Sequence, residues 1–302
     1  MLAGKKDRSG KEISRRDFCK LVGVGTAGLL AASSGLYNIA AQEERKIPYN
    51  IPRRPIGNTG MEASILAIGA GSRFWDKNHL DEDAWEPYLE RALTKEGINY
   101  IDTAINYGRE LSERRLGQVI PYFRDELVIS TKTPERTYNG VMRDVERSLR
   151  NLKTDYLDIY LMHNLGGYGD KTIKDVEDGY KALQKLKSEG TVKAIGFSSH
   201  GSRKLITDAV NQLDLDTVLV STNDPGYANF KPDIPWITSQ GVAVSVIKVM
   251  RSLEIRGLHQ PGSGARELYR QVLELPISTA VITHRTMDVF EENLATAREF
   301  GS

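Results

Sequence analysis

Eight short apolar segments alternate with helix-like patterns across residues 53–302. Each segment is rich in β-branched or other apolar residues and ends in a small or polar residue, as strands do. Between them, apolar side chains recur at three- and four-residue spacing, which predicts helices. The predicted strands span residues 64–69, 100–103, 127–131, 157–162, 192–197, 217–221, 242–247 and 279–283.

Repeated β–α units predict an α/β fold with parallel strands that are buried on both faces. Eight such units over about 250 residues match a closed (β/α)8 TIM barrel. A doubly wound open sheet is the alternative, and it normally has three spaced glycines in the turn after its first strand. The turn GAGSR at 69–73 lacks the third glycine, which favours the barrel. The turn NTG at 58–60 predicts a short β-hairpin that closes the bottom of the barrel.

The first 41 residues have the layout of an export signal. Arg15 and Arg16 stand in the motif SRRDFCK, and an uncharged stretch dominated by Gly, Ala and Ser follows from 21 to 42. The motif resembles the twin-arginine consensus. We therefore expect 1–41 to be a signal peptide read by the twin-arginine export machinery, 42–52 a linker and 53–302 the barrel. The expected location is the periplasm or another extracytoplasmic space.

A transmembrane anchor is the alternative interpretation of the same stretch, since about 18 apolar residues are long enough to span a bilayer. Its many Gly and Ser residues make permanent insertion unfavourable, so no stable membrane span is expected after cleavage. The formal net charge is +1, which gives no electrostatic footprint for nucleic acid. The one cysteine, Cys19, lies in the predicted signal peptide, so no cysteine-based metal site is expected in the barrel.

Polar residues stand at the ends of three successive predicted strands. Asp102 ends the second strand, Lys132 the third and His163 the fourth, and Tyr107 follows Asp102 in the motif DTAINYG. Strand ends of such a barrel share one face, so these side chains are expected in one pocket. Each alone has a structural explanation as well, such as a helix cap for Asp102. Their joint placement is what favours a shared reactive site.

The chemistry of this quartet favours proton transfer. A phenol with a pKa near 10 is a poor acid at neutral pH, and a nearby ammonium group is expected to lower that value. A carboxylate beside the lysine keeps it charged and oriented, and a histidine can hydrogen-bond a substrate oxygen. Together the four residues would protonate a substrate oxygen as hydride reaches the carbon bonded to it. The hydride itself has to come from a cofactor.

The motifs IPRRPIGNTGMEASILAIGAG, DTAINYG, STKT, LMHN and IGFSSHG together resemble the aldo-keto reductase superfamily over nearly the whole chain after the leader. The resemblance implies Tyr107 as the general acid, Lys132 and Asp102 as the pair that tunes it, and His163 as the donor that orients the substrate. It also implies NADPH, or less often NADH, bound across the mouth of the barrel.

The resemblance extends to cofactor contacts. Ser198 matches the family's serine near the nicotinamide amide, and Asn293 matches its asparagine near the adenine. Ser199 stands where the family usually has asparagine. Lys248 lies in a segment similar to that of a bacterial branch, and Arg285 is the substitute for the family's basic residue at a 2′-phosphate.

Two further departures from the family concern the cofactor side. Leu219 replaces an expected glutamine on the sixth strand, and the seventh strand, VSVIKVM, lacks the tyrosine that stacks on nicotinamide. On the substrate side, Phe74 and Trp75 either wall the pocket or pack over the rim. The loop around Tyr168 is either a lid or a plain connector.

The expected function is therefore NAD(P)H-dependent reduction of a small aldehyde or ketone, or the reverse oxidation of an alcohol, by an aldo-keto reductase. The alternative is a non-catalytic barrel that binds or senses a ligand or cofactor after losing tight nicotinamide binding. A sugar-active enzyme is a third possibility, although no separate carboxylate pair for hydrolysis stands out in the sequence.

Overall fold

The computed structural model describes residues 45–71, 85–255, 257, 262, 264–284 and 286–300. The chain divides into two units, Met1–Glu43 and Glu44–Ser302. All described residues belong to the second unit, so the predicted signal peptide, with Arg15, Arg16 and Cys19, lies outside the described residues.

Ten strands are formed within the described residues. Two make an antiparallel hairpin, and the other eight are parallel and form a barrel. The strands are β1 Arg53–Pro55, β2 Glu62–Ser64, β3 Leu66–Gly69, β4 Tyr100–Asp102, β5 Val128–Thr133, β6 Leu157–Met162, β7 Val192–Ser199, β8 Thr217–Ser221, β9 Ala243–Ile247 and β10 Thr279–Ile282.

Helices alternate with the barrel strands and surround them. The α-helices of the described residues are α1 Trp85–Thr94, α2 Leu111–Val119, α3 Tyr138–Leu152, α4 Glu177–Ser188, α5 Arg203–Gln212, α6 Ile234–Ser239, α7 Arg251–Ile255, α8 Ala265–Leu273 and α9 Met287–Glu299. Short 3-10 turns cover Ile120–Tyr122, Arg124–Glu126 and Ile173–Val176. None of the helices in the described residues has both the length and the apolar character of a membrane-spanning segment.

The barrel closes because β10 pairs in parallel with both β9 and β3. This confirms the predicted (β/α)8 TIM barrel and the hairpin before it. Predicted strand bounds are matched at β6 and β8. Two strands extend two residues beyond their predicted ends, because parallel pairing continues to Thr133 on β5 and to Ser199 on β7. Lys132 and Ser198 therefore lie within strands and not in the loops after them.

The hairpin closes the bottom of the barrel. Ile56 and Ala63 are fully buried and belong to the cluster of side chains inside the barrel, together with Tyr100 and Leu219. A second, larger apolar cluster fills the layer between the strands and the surrounding helices. The barrel interior is thus a packed core. The hairpin closes the end at which the strands begin, and the opposite end, where the strands finish, stays open.

The segment before the hairpin packs on the barrel. Ile47 and Ile51, from the stretch predicted as a linker, are 6% and 1% exposed and join the outer core. Gly97 lies against this segment with φ of 86°, and a Cβ at that position would stand 2.4 Å from the Pro48 carbonyl oxygen. Residues 45–52 are therefore packed against the barrel.

Candidate active site

Alternation along β5 decides which side chains face the barrel interior. Val128 belongs to the inner cluster, so Ser130 and Lys132 point inward at the same period of two. The residues between them bond outward: Thr131 Oγ1 donates to Glu113 and Thr133 Oγ1 donates to Asp144. Lys132 is thereby placed inside the barrel, near its upper end, at 1% exposure.

Lys132 and Asp102 form a buried ion pair. Lys132 Nζ lies 2.6 Å from Asp102 Oδ1 and also donates to the Thr103 carbonyl oxygen at 2.6 Å. The second carboxylate oxygen, Oδ2, accepts a hydrogen bond from Ser130 Oγ at 3.0 Å. Because both oxygens of the carboxylate are bonded, the aspartate is fixed in place and in turn fixes the ammonium group.

Tyr107 and His163 lie beside this pair. Lys132 Nζ is 5.3 Å from the centre of the Tyr107 ring. The Tyr107 and His163 rings meet edge to face, with centroids 5.6 Å apart and an interplanar angle of 79°. Within the described part of the chain, the Tyr107 hydroxyl has no hydrogen bond, and the buried Nδ1 of His163 has no partner either. The structure therefore brings the four predicted residues together.

Burial sets the protonation states of Tyr107 and His163. It raises the pKa of Tyr107 well above its ordinary value, and the neighbouring Asp102 carboxylate raises it further. It lowers the pKa of His163 well below its ordinary value, with the positive charge of Lys132 as the second cause. The expected lowering of the Tyr107 pKa by Lys132 is not found, because burial and then the Asp102 carboxylate raise it. At neutral pH the phenol is protonated and the imidazole is neutral.

The ion pair itself is subject to two opposing effects. Burial raises the pKa of Asp102 and lowers the pKa of Lys132, because a charge is poorly solvated inside a barrel. Each partner opposes that shift in the other, and the Glu113 carboxylate also raises the pKa of Lys132. The charged pair is thus sustained by mutual attraction and by its hydrogen bonds.

A cavity of about 440 Å³ opens at this end of the barrel. Three of the four predicted catalytic residues line it, while Lys132 lies beneath them. Its walls come from the ends of strands β3, β4, β6, β7, β9 and β10 and the loops that follow them. The described lining includes Gly69, Gly71, Asp102, Tyr107, His163, Asn164, Tyr168, His200, Lys248, Arg251, Glu254 and Thr283.

The two serines predicted as cofactor contacts are buried in the strand end and do not line the cavity. Ser198 Oγ accepts the backbone N–H of Asn164 at 2.9 Å. Ser199 Oγ donates to the Leu165 carbonyl at 2.8 Å and lies on the outer face of β7. Both hydroxyls hold the loop after β6 in place.

Lys248 and Asn293 lie in different surroundings. Lys248 lines the cavity, with Nζ 3.0 Å from Asp224 Oδ2 and 3.8 Å from the centre of the Tyr227 ring. Asn293, on α9, is fully buried, and neither atom of its side-chain amide has a partner within the described residues. An unpaired buried amide is costly unless a ligand satisfies it. Lys248 and Arg251 line the cavity and are groups that could bind the phosphates of a dinucleotide, although both also contact the Asp224 carboxylate. Asn293 is not among the described residues that line the cavity.

The loop after β6, for which the sequence allows a lid or a plain connector, is held firmly by side-chain contacts. Arg136 makes a two-pronged pair with Asp170, through Nε and Nη2 at 2.8 Å each, and donates to the His163 carbonyl at 2.8 Å. Its guanidinium also lies 5.1 Å from the centre of the Tyr168 ring. The Tyr168 hydroxyl accepts a bond from Asn106 Nδ2 at 3.2 Å.

Sequence reasoning missed several residues that line the cavity or hold the loop beside it, because their contacts join distant parts of the chain. Asn164, with φ of 54°, receives the His200 backbone N–H on its side-chain oxygen. Arg136 and Asp170 are 34 positions apart and form no local motif. Only the charge of Arg136 near the end of β5 was a visible signal. Phe74, Trp75 and Arg285, the remaining predicted contacts, lie outside the described residues.

Comparison with known proteins gives the family. The model of the "Aldo/keto reductase family" matches residues 65–234, which is more than half of the chain. The chain belongs to the aldo/keto reductase family. It is 34% identical over 178 residues to D-threo-aldose 1-dehydrogenase of Pseudomonas, covering 47% of this chain and 51% of that protein. The match to the curated relatives spans about half of their length.

Solved structures of aldo-keto reductases share this barrel. The holo form of an aldo-keto reductase from Bacillus halodurans superposes with a TM-score of 0.67 at 21% identity, covering 82% of this chain and 90% of that chain. An aldo-keto reductase from Klebsiella pneumoniae, solved in complex with NADPH, gives a TM-score of 0.61 at 21% identity, with coverages of 84% and 89%. At this identity the likeness establishes the fold.

Proposed function

We propose that this aldo-keto reductase family member is an oxidoreductase that reduces a small aldehyde or ketone, or oxidises the matching alcohol, with Tyr107 as general acid. The observation that carries the proposal is the buried Lys132–Asp102 pair beneath a protonated phenol that opens into the cavity. A neutral His163 on the same wall completes a site that can donate two hydrogen bonds to one oxygen.

Each residue has a distinct task in this proposal. His163 donates to the carbonyl oxygen of the substrate and polarises it. Tyr107 gives its proton to that oxygen as negative charge develops there. The Lys132 ammonium then stabilises the phenolate that remains, and Asp102 keeps the ammonium oriented. The raised pKa of Tyr107 keeps the proton on the phenol until the oxygen becomes a stronger base.

When bound, a nicotinamide dinucleotide, NADPH or NADH, supplies the hydride, which no side chain can provide. We propose that Lys248 and Arg251 bind its phosphates from the cavity rim and that the Asn293 amide contacts its base. Ser198 and Ser199 support the site by fixing the loop after β6. Arg285 stays a proposed 2′-phosphate contact, and Phe74 and Trp75 stay proposed substrate contacts.

Replacing Tyr107 with phenylalanine tests the proton donor. Tyr107→Phe removes one oxygen from a wall that opens to solvent, so packing is retained. We expect kcat for aldehyde reduction to fall at least about a hundredfold, as removal of a general acid does. NADPH binding, followed by the change in its fluorescence, should stay within about twofold because no proposed cofactor contact is lost. Full turnover by the variant would rule out Tyr107 as the acid.

The non-catalytic alternative is favoured by two observations on the cofactor side. Leu219, in the place of the expected glutamine, is packed into the barrel interior. The Lys248 charge is already compensated by Asp224. Equilibrium titration of the purified protein with NADPH and NADH separates the two proposals. Binding followed by oxidation of the cofactor on addition of aldehydes supports the enzyme, whereas failure to bind either cofactor supports the binding protein.

We also propose that residues 1–41 direct export through the twin-arginine pathway, which carries folded proteins and so permits cofactor loading before transport. The proposal is supported by the paired Arg15 and Arg16 followed by the weakly apolar stretch. Expression of the full chain in a bacterial host, followed by fractionation, tests it. We expect a shortened protein in the periplasm, and cytoplasmic full-length protein after Arg15→Lys and Arg16→Lys together. Periplasmic delivery of that double variant would contradict the proposal.

A further inference from the structure

Three consecutive residues after Tyr107 have left-handed backbone conformations. The φ angles are 58° at Gly108, 52° at Arg109 and 71° at Glu110. Only the first is glycine, and side chains other than those of Asn and Asp rarely adopt this region. The turn connects Tyr107 directly to α2, which begins at Leu111. Backbone strain of this kind persists only where surrounding contacts hold it.

Glu110 supplies such contacts. It occupies the N-cap position of α2, yet its side chain makes no capping bond to that helix. Its carboxylate instead reaches α3, where Oε1 pairs with Arg147 Nη2 and Oε2 accepts from Asn151 Nδ2 at 3.1 Å. Arg114, one turn along α2, adds a weaker ion pair at 3.9 Å. The side chain thus fastens the strained turn to the neighbouring helix.

The same contacts continue to the strand that carries Lys132. Asn151 also donates to Glu113 Oε2 at 3.0 Å, and Glu113 Oε1 accepts from Thr131 Oγ1 at 2.7 Å. Thr131 directly precedes Lys132 on β5. Glu113 is fully buried in this arrangement, so its two hydrogen bonds define its position.

A second branch reaches the other side of Lys132. Arg147 Nη1 contacts Asp144 Oδ1 at 3.4 Å, and Asp144 Oδ2 accepts from Thr133 Oγ1 at 2.7 Å. Thr131 and Thr133 flank Lys132 and point outward while it points inward. One set of side chains behind the barrel wall therefore holds both the turn after Tyr107 and the strand segment around Lys132.

We propose that Glu110 is a positioning residue, which through Arg147 and Asn151 holds the strained turn and so sets the place of Tyr107 relative to Lys132. The inference rests on the proposed function, in which these two groups act together. Glu110 lies behind the wall and touches neither the cavity nor the proposed cofactor contacts. Its loss should therefore lower turnover without weakening binding of substrate or cofactor.

The test compares Glu110→Gln, Arg109→Asn and the double variant with the wild type. Glu110→Gln keeps size but loses the charge, and we expect kcat to fall about tenfold, with KM for aldehyde and NADPH within about twofold. Hydrogen exchange of the peptide covering 107–112, measured by mass spectrometry, should become faster. Arg109→Asn lowers the strain, so the double variant should recover about threefold in kcat and slow the exchange again.

Glu299→Gln is the matched control, since Glu299 also pairs with two arginines, Arg266 and Arg270, but at the far end of α9. It should leave kcat and exchange at 107–112 unchanged. Asn151→Ala, a second variant, leaves the Glu110–Arg147 pair in place but removes the bonds of Asn151 to Glu110 and Glu113, and it should lower kcat in the same way by about threefold. Its use keeps the test open if Glu110→Gln folds poorly.

Three outcomes would overturn the proposal. The first is faster exchange in Glu110→Gln with unchanged kcat. The second is a loss of kcat that Arg109→Asn does not restore. The third is a rise in KM for aldehyde or NADPH as large as the fall in kcat. A wild type without reductase activity, or a Tyr107→Phe variant that keeps it, overturns the proposed function instead and this inference with it. The exchange measurement does not depend on turnover, so the two failures are distinguishable.

Discussion

At the residue scale, burial is the dominant influence on the titratable groups around the cavity. Three side chains near Lys132 show its effect: Tyr107 keeps its proton, and both His163 and His200 lose theirs. The nearby ammonium groups strengthen the effect on the histidines. The pocket therefore offers neutral hydrogen-bond donors at neutral pH, which suits a site that has to stabilise a developing negative charge.

His200 predicts a measurable dependence of stability on pH. Burial, then Lys248 and Lys132, lower the pKa of its imidazole to about 4, against about 6.5 in the unfolded chain. The unfolded state thus binds a proton first as pH falls, so the free energy of unfolding decreases between pH 6.5 and 4. The decrease from this residue is at most about 1.4 kcal/mol per pH unit.

Urea unfolding at a series of pH values measures this contribution. His200→Gln cannot titrate, so its free energy of unfolding should fall less steeply than that of the wild type below about pH 6.5. The two slopes should be equal above pH 7.5, where His200 is neutral in both the folded and the unfolded state. Parallel curves for wild type and variant across the acidic range would contradict the lowered pKa.

At the element scale, the loop after β6 depends on the Arg136–Asp170 pair. Asp170 is 3% exposed at its side chain and receives the Gly166 backbone N–H as well as both guanidinium bonds. Removing one partner of a pair this deep leaves the other charge uncompensated. Asp170→Asn should therefore lower the free energy of unfolding by about 3 kcal/mol and expose residues 164–170 to proteolysis.

Asp233→Asn is the control for that experiment. Asp233 also accepts two bonds from one arginine, Arg203, but that guanidinium is half exposed. An exposed pair contributes little to stability, so the loss should be much smaller than for Asp170→Asn, and the loop after β6 should stay protected in this variant. Equal losses of stability in the two variants would show that burial of the Arg136–Asp170 pair has no special effect.

The elements also show what the sequence can predict. Short apolar segments alternating with helical patterns located all eight barrel strands, and the polar strand ends located Asp102, Lys132 and His163, because both signals are local. The Arg136–Asp170 pair and the Glu110–Arg147 pair each join residues more than 30 positions apart. No local pattern in the sequence marks them. The wrong expectation for the Tyr107 pKa has the same origin, since burial is a property of the folded barrel.

At the scale of the whole barrel unit, the segment before the hairpin extends the core. Ile47 and Ile51 bury their side chains in the outer layer, and Asn50 Nδ2 donates to the Lys95 carbonyl at 2.8 Å just after α1. Gly97 then allows the two chain segments to approach closely. Residues 45–52 should therefore unfold together with the barrel, in one cooperative transition.

A pair of glycines isolates the contribution of this close approach. Gly97 and Gly190 both have positive φ, 86° and 73°, so alanine at either site strains the backbone by about 1–2 kcal/mol. At Gly190 the added Cβ meets nothing within 4 Å. At Gly97 it would lie 2.4 Å from the Pro48 carbonyl oxygen and 2.9 Å from the backbone nitrogen of Asn50. Gly97→Ala has to push the segment away, so urea unfolding should show an additional loss of about 2 kcal/mol, within the range for overpacking. Losses of equal size in the two variants would mean that residues 45–52 shift without cost and are not part of the core.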